Sequence, residues 1–232
     1  MCDTGRMQHR SDTWVVIPAF NEAPVIGGVV AAVRAFFPHV LVVDDASSDD
    51  TAALAREAGA FTASHPLNLG QGAALQTGFE TALARGARYV VTFDADGQHD
   101  PADAAAMVDR AREEDLAFVL GSRFLDGKRA RVGAAKRAML RLGAFIARAR
   151  TGLALTDTHN GLRVIRADAL GHVHLTHARM AHASQIISQL ASSGLPGAEH
   201  PVTISYTEYS RGKGQPLLNS INIVVDLALG GQ

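Results

Sequence analysis

Tyr89-Val90-Val91-Thr92-Phe93-Asp94-Ala95-Asp96-Gly97-Gln98-His99-Asp100-Pro101 changes character twice in thirteen residues. Its first five residues are β-branched or aromatic and read as a buried strand. Asp94 and Asp96 follow with one alanine between them, so persisting strand geometry puts both carboxylates on one side. Gly97 permits a tight turn, and Pro101 suits the first turn of a helix running through Arg112. Two carboxylates on one side repel each other unless a cation joins them. Mg2+ or Mn2+ takes oxygen ligands and commonly uses one or two carboxylates together with substrate phosphates. An isolated Asp-x-Asp is also a common turn or cap, so the context of strand, turn and helix carries the reading. His99, a loop histidine, ranks below both aspartates as a ligand.

Outward from this stretch, the first two-thirds of the chain alternates short β-branched runs with longer alanine-rich stretches, the rhythm of strand-helix units. Trp14–Ile17 is expected as a strand stopped by Pro18, with a helix over Pro24–Phe37. Val40–Val43 is a second strand, followed by a helix over Asp49–Ala58 capped by Ser47 or Ser48. Phe61–Ser64 makes a third strand, Gly72–Ala84 a helix and Ala117–Leu120 a further strand. Beyond Ser122 a basic, helix-prone stretch precedes a strand over Gly161–Ile165, a helix over Ala178–Ala191 and an extended run over Val202–Tyr206. The expected fold class is α/β, a Rossmann-like and mostly parallel central sheet flanked by helices in a single domain. Such sheets place ligands at the carboxyl ends of their strands, where Asp44-Asp45 and Asp94–Asp96 both fall.

With 232 residues, 47% of them hydrophobic and 19% charged, the chain suffices for one large domain with a substantial core. No linker, repeat or low-complexity tract interrupts it. Residues 1–12 read as a mobile polar leader and 13–232 as the domain. The single cysteine, Cys2, forms no internal disulfide. Residues 1–12 hold no apolar run of signal-peptide length and no run of eighteen apolar residues occurs anywhere, so neither a signal peptide nor a membrane span is expected. The net charge of −1 conceals a division: residues 1–122 carry 8 Lys/Arg against 17 Asp/Glu, and 123–232 carry 14 against 6. One part is suited to cations and the other to anions. No nucleic-acid partner is expected.

Two more loops fall at the ligand-binding edge. Asp44 and Asp45 precede a Ser- and Asp-rich helix start, and carboxylates there can accept hydrogen bonds from a base or ribose. Leu67-Asn68-Leu69-Gly70-Gln71-Gly72 opens a helix, where glycines let backbone approach a ligand and amides face an anion. The chain lacks a Gly-x-Gly-x-x-Gly fingerprint and a Walker A sequence, which counts against a nicotinamide enzyme or a P-loop NTPase.

Taken together, Val16-Ile17-Pro18-Ala19-Phe20-Asn21-Glu22, Val43-Asp44-Asp45 through Thr51, Asn68-Leu69-Gly70-Gln71-Gly72 and Asp94–His99 resemble the family 2 inverting glycosyltransferases in order and spacing. Gly121-Ser122-Arg123 and Asp157–Arg163 extend the likeness toward the dolichyl-phosphate mannose synthase and polyprenyl-phosphate sugar transferase branch. The resemblance implies a GT-A fold with Pro18, Asn21 and Glu22 lining a nucleotide pocket and Asp45 holding base or ribose. Asp44, Asn68, Gly72 and Ala95 complete the expected donor-binding set. Asp94 and Asp96 would face the donor diphosphate and hold Mg2+ or Mn2+, with Gln98 completing the metal site. Gln71 departs from the family pattern, in which lysine is frequent, so a positive contact to the phosphates is missing here.

The resemblance further implies single displacement with inversion. A hydroxyl acceptor requires a general base, for which Asp157 is the first candidate; a lipid phosphate attacks unaided and needs cations to position it. Nine Lys/Arg and one acid between Arg123 and Arg150, interleaved with apolar residues, suit an amphipathic helix on an anionic membrane surface. Arg123 and Arg137 are expected to grip the acceptor phosphate, and Asp94, Asp157 and Arg123 form the expected catalytic set. The expected activity is transfer of a hexose from a UDP- or GDP-sugar to a polyprenyl phosphate, by a cytoplasmic protein peripheral to the inner membrane face. A saccharide acceptor and a non-catalytic nucleotide-binding module are the alternatives. Tyr206–Gln215 is a candidate closing loop. Ile221–Leu229 is a candidate docking segment for a membrane-bound partner.

Overall fold

The computed structural model describes residues 10–125, 155–158, 160–176 and 181–205. Most of the basic Arg123–Arg150 stretch, including Arg137, lies outside them, as do Tyr206–Gln215, Ile221–Leu229 and most of the expected leader. The described elements are β1 (Thr13–Ala19), α1 (Ala23–Arg34), β2 (His39–Asp44), α2 (Thr51–Glu57), β3 (Phe61–Ser64), α3 (Gln71–Ala84), β4 (Tyr89–Thr92), α4 (Pro101–Glu113), β5 (Phe118–Ser122), β6 (Arg163–Arg166), α5 (Ala167–Leu170), α6 (Ala181–Ser192) and β7 (Gly197–Pro201). They build one seven-stranded sheet in the order β3-β2-β1-β4-β6-β5-β7. It is mostly parallel, as expected; β6 alone runs against both its neighbours, β4 and β5.

Alternation along the strands divides the core into two layers. Val15, Ile17, Val40, Val42 and Val91 face α1 and α4, packing on Ile26, Val30, Val33, Met107 and Val108. Trp14, Val16, Leu41, Val43 and Val90 face α3 and α6, packing on Leu75, Phe79, Ile186 and Leu190. Two-sided burial explains why these strands read as continuous apolar runs. Among the described residues no helix is long and apolar enough to cross a membrane.

Several element boundaries differ from expectation for identifiable reasons. β1 continues through Pro18 to Ala19. The Val16 carbonyl accepts from Phe93 N–H on the β4 side, and that of Ala19 accepts from Asp45 on the β2 side. Pro18, two residues after Val16, therefore turns its nitrogen toward β4, whose register with β1 has already ended at Thr92. The proline removes no ladder hydrogen bond.

α2 begins at Thr51 rather than Asp49, and its N-cap residue, Asp50, makes no side-chain cap. Ser47 and Ser48 are occupied elsewhere, as described below. Among the described residues the last strand is Gly197–Pro201, earlier than the expected extended run Val202–Tyr206, of which Ile204 forms an isolated bridge with His99. The strand expected from Gly161 starts at Arg163, because Leu162 N–H turns to the Asn160 side chain.

α3 packs closely on β1: a methyl at Gly78 would lie 2.2 Å from Val16 Cγ1. Val16 is fully buried and β-branched, so it has no room to withdraw. Gly78→Ala is expected to destabilise the protein by about 1–3 kcal/mol through overpacking. Urea unfolding followed by circular dichroism measures this, and an unchanged midpoint would contradict the close contact.

Candidate active site at the carboxyl edge of the sheet

The turns after β1 and β2 are laced together. Asn21 sits at φ 54°, a left-handed conformation that asparagine tolerates. Its N–H donates to Ser47 Oγ at 2.9 Å, and its side-chain oxygen accepts from Ser48 N–H at 2.9 Å. Glu22 N–H donates to Thr51 Oγ1 at 2.8 Å, and Ala23 N–H to Asp49 Oδ2 at 3.1 Å. The Ser- and Asp-rich stretch is therefore a brace between two loops before it is a helix start. Ala46, at φ 61°, is held left-handed beside it, at a cost that only the surrounding structure sustains.

Asp45 organises the third loop. Its Oδ1 accepts from Leu69 N–H at 2.9 Å and lies 2.7 Å from His65 Nδ1, while its Oδ2 accepts from Gly70 N–H at 2.7 Å. His65 Nε2 is 2.9 Å from Thr77 Oγ1 on α3. The carboxylate thus fixes the chain where it enters α3. His65 is the contact that sequence reading missed; a lone histidine carries no signal of it. Asp44 is buried and accepts weakly from Ser47 N–H at 3.3 Å.

At the end of β4 the two aspartates experience opposite environments. Asp94 Oδ2 is 2.9 Å from His99 Nε2, and Gln71 Nε2 reaches its Oδ1 at 3.4 Å. Burial works to raise the Asp94 pKa, but the hydrogen bond and charge of His99, with Arg163 and His182, bring it below the ordinary value. Asp96 is held above it, first by burial and then by the Asp94 charge, against the hydrogen bond from Gln98 N–H. Gln98 also donates its side-chain amide to Asp96 Oδ2 at 2.6 Å. Gly161 permits the arrangement: a Cβ there would lie 2.2 Å from Asp94 Oδ2.

Beyond Asp94, Arg123 and Asp157 form a two-pronged ion pair, Nε to Oδ2 at 2.6 Å and Nη2 to Oδ1 at 2.7 Å. The Asp157 side chain is almost wholly buried. Glu199 on β7 secures this loop from beneath, accepting from Thr156 N–H at 2.8 Å and Asp157 N–H at 3.1 Å. Arg163 on β6 is 3% exposed; burial lowers its pKa, while Asp94 and Asp157 act to restore it.

These groups enclose a cavity of about 610 Å³. Of the residues singled out from sequence, Pro18, Glu22, Asp45, Asn68, Asp94, Ala95, Asp96, Gln98 and Arg123 line it. Asn21, Asp44, Gly72 and Asp157 do not line it; Asn21 bonds to the loop after β2 and Asp157 to Arg123. Asn160, Arg163 and His182 also line it without having been assigned a role. The first two belong to a quoted motif, whereas nothing in the sequence marks His182.

The Glycosyl transferase family 2 model matches residues 14–173. The chain is 29% identical to a UDP-N-acetylglucosamine–dolichyl-phosphate N-acetylglucosaminyltransferase of Methanococcus voltae, covering 93% of this chain and 94% of that protein. It is 36% identical to an undecaprenyl-phosphate mannosyltransferase of Micrococcus luteus, covering 69% and 68%. Glucosyl-3-phosphoglycerate synthase of Mycobacterium tuberculosis, crystallised with Mn2+, UDP-glucose and phosphoglyceric acid, shares the fold at a TM-score of 0.70 and 19% identity. That match covers 96% of this chain and 80% of the synthase chain.

Because the folded Asp94 pKa is depressed, its contribution to stability is complete above its unfolded value of about 3.9 and is lost as the pH falls through the folded value. Urea midpoints are accordingly expected to fall less steeply for Asp94→Asn than for the wild type between about pH 5 and pH 2. Parallel pH profiles for the two proteins would refute this account.

Proposed function

The chain belongs to glycosyltransferase family 2, and from that premise we propose that it transfers a hexose from a UDP- or GDP-sugar to a polyprenyl phosphate at the cytoplasmic membrane face, with inversion. The observation that carries the reading is one cavity with two characters. Glu22, Asp45, Asp94 and Asp96 line its acidic part, and Arg123 and Arg163 line its cationic part. The names of the relatives, dolichyl-phosphate and undecaprenyl-phosphate transferases, support the same acceptor class.

A divalent cation suits the acidic part. Asp94 and Asp96 are hard oxygen donors, and the pKa of Asp96 is raised first by burial and then by the charge of Asp94, both of which a cation would offset. Among the described residues no three metal-ligating side chains cluster, so donor phosphates would complete the coordination. Gln98 presents its amide N–H to Asp96 here; serving as a ligand through its oxygen requires that amide to turn. Bound Mg2+ or Mn2+ would supply charge neutralisation for the departing diphosphate.

The protein groups then have separable tasks. Pro18, Glu22 and the loop held by Asp45 bound the nucleotide end. An ionised phosphate oxygen of the acceptor forms the new bond to the anomeric carbon as the bond to the diphosphate breaks, its electron pair leaving with the nucleoside diphosphate. No proton need be removed. This fits the geometry of Asp157, whose oxygens are engaged by Arg123 and which lies outside the cavity lining; its proposed role is to orient Arg123. A saccharide acceptor would need a base, so the paired state of Asp157 favours the lipid phosphate. Arg137, the other expected phosphate contact, lies outside the described residues.

Incubation of the protein with Mn2+, labelled UDP- and GDP-sugars and a short polyprenyl phosphate is expected to yield a lipid-soluble labelled product. Labelling of saccharides alone would overturn the acceptor assignment. Asp96→Ala and chelation by EDTA are each expected to reduce transfer by about 10²-fold or more, as loss of electrostatic stabilisation of a leaving group does. Undiminished transfer under either condition would exclude the metal role.

A further inference from the structure

We propose that Arg163, assisted by Asn160, forms a subsite for the phosphate of the acceptor, lying between the donor carboxylates and Arg123. The inference deepens the proposed function and rests on it.

Arg163 is anomalous as a buried cation. Only 3% of its surface is exposed, and its guanidinium makes no hydrogen bond to any described group; Asp94 and Asp157 act on it through their charges alone. Buried guanidinium groups ordinarily place their five N–H donors on carboxylates or carbonyls. Asp157 does not serve, because Arg123 takes both of its oxygens. Asp94 is engaged by His99 and Gln71. The Arg163 donors therefore remain available in the cavity that the residue lines.

A second, independent observation lies three residues earlier. Asn160, 5% exposed and also in the cavity lining, uses its side-chain oxygen to accept from Leu162 N–H at 2.9 Å. Its Nδ2 is buried without a partner among the described residues. Between the two, Gly161 lacks a side chain, and the Asp94 carboxylate occupies that space. Unused donors on both sides of this close approach call for an oxygen-rich ligand.

Position on the sheet selects which ligand. Arg163 pairs in register with Thr92, two residues before Asp94, and with Leu120, three residues before Arg123. It therefore stands between the carboxylates that would hold the donor diphosphate and the arginine expected at the acceptor. A planar guanidinium matches two oxygens of a phosphate at once, which neither a sugar hydroxyl nor a polyprenyl chain offers. Seated there, the acceptor phosphate would lie beside the anomeric carbon, its charge balanced by Arg163 and Arg123 together.

The test uses the full chain, farnesyl phosphate as acceptor probe, farnesol as its uncharged control and UDP with Mn2+ as donor probe. Arg163→Met is expected to weaken farnesyl phosphate binding at least tenfold while leaving UDP affinity within twofold, and Arg163→Lys to recover part of the loss. Farnesol binding should not respond to either change. In the wild type, farnesyl phosphate should shift the Arg163 Nε–Hε resonance, an effect readable even if Arg163→Met fails to fold. Unchanged acceptor affinity, an unmoved resonance, or equal loss of UDP and farnesyl phosphate affinity would overturn the subsite while leaving sugar transfer intact. Failure of the wild type to bind either UDP or GDP would overturn the proposed function, and the subsite with it.

Discussion

Asp94 and Asp96 stand one residue apart at the end of a buried strand, and the burial of two neighbouring carboxylates is the constraint to which the surrounding structure responds. The response is asymmetric. His99, Arg163 and His182 stabilise the charge on Asp94, whereas Asp96, left with burial and the field of its neighbour, has a raised pKa and, among the described residues, only Gln98 as hydrogen-bond partner. One carboxylate is held below the ordinary pKa and the other above it. Gly161 belongs to the same arrangement, since any side chain there would displace Asp94.

The remaining walls follow a division of labour between residues that face the cavity and residues that hold them. Asp45 secures the Leu69–Gly70 backbone, Asp157 orients Arg123, and Glu199 secures the loop carrying Asp157. Burial raises the pKa of Glu199 while hydrogen bonds from Thr156 and Asp157 oppose the rise. Such tasks need a carboxylate as firmly as metal binding does. A carboxylate at a strand end is therefore an incomplete description until its partners are known.

Much of this was legible in the chain. Apolar runs separated by alanine-rich stretches carried the sheet and its helices, because burial on both faces demands such runs. Misplaced boundaries trace to long-range partners. Pro18 is tolerated within β1 because β4 ends beside it, and Ser47 and Ser48 forgo capping because Asn21 takes them. The antiparallel insertion of β6 between β4 and β5 has no local signature, yet it brings Asn160, Gly161 and Arg163 against Asp94.

The sequence by itself determined the α/β class, the convergence of acidic residues at the carboxyl edge and the likeness to family 2, because these rest on periodicity and on motifs that local chemistry requires. Only the tertiary structure decided which acids face the cavity and which stand behind it. It placed Asp45 on a backbone loop, paired Asp157 with Arg123, and left the Arg163 guanidinium without a hydrogen bond among the described residues. The reason is physical: a side chain's role depends on which lone pairs and donors its neighbours leave unused, and those neighbours lie from about twenty to more than sixty residues away along the chain.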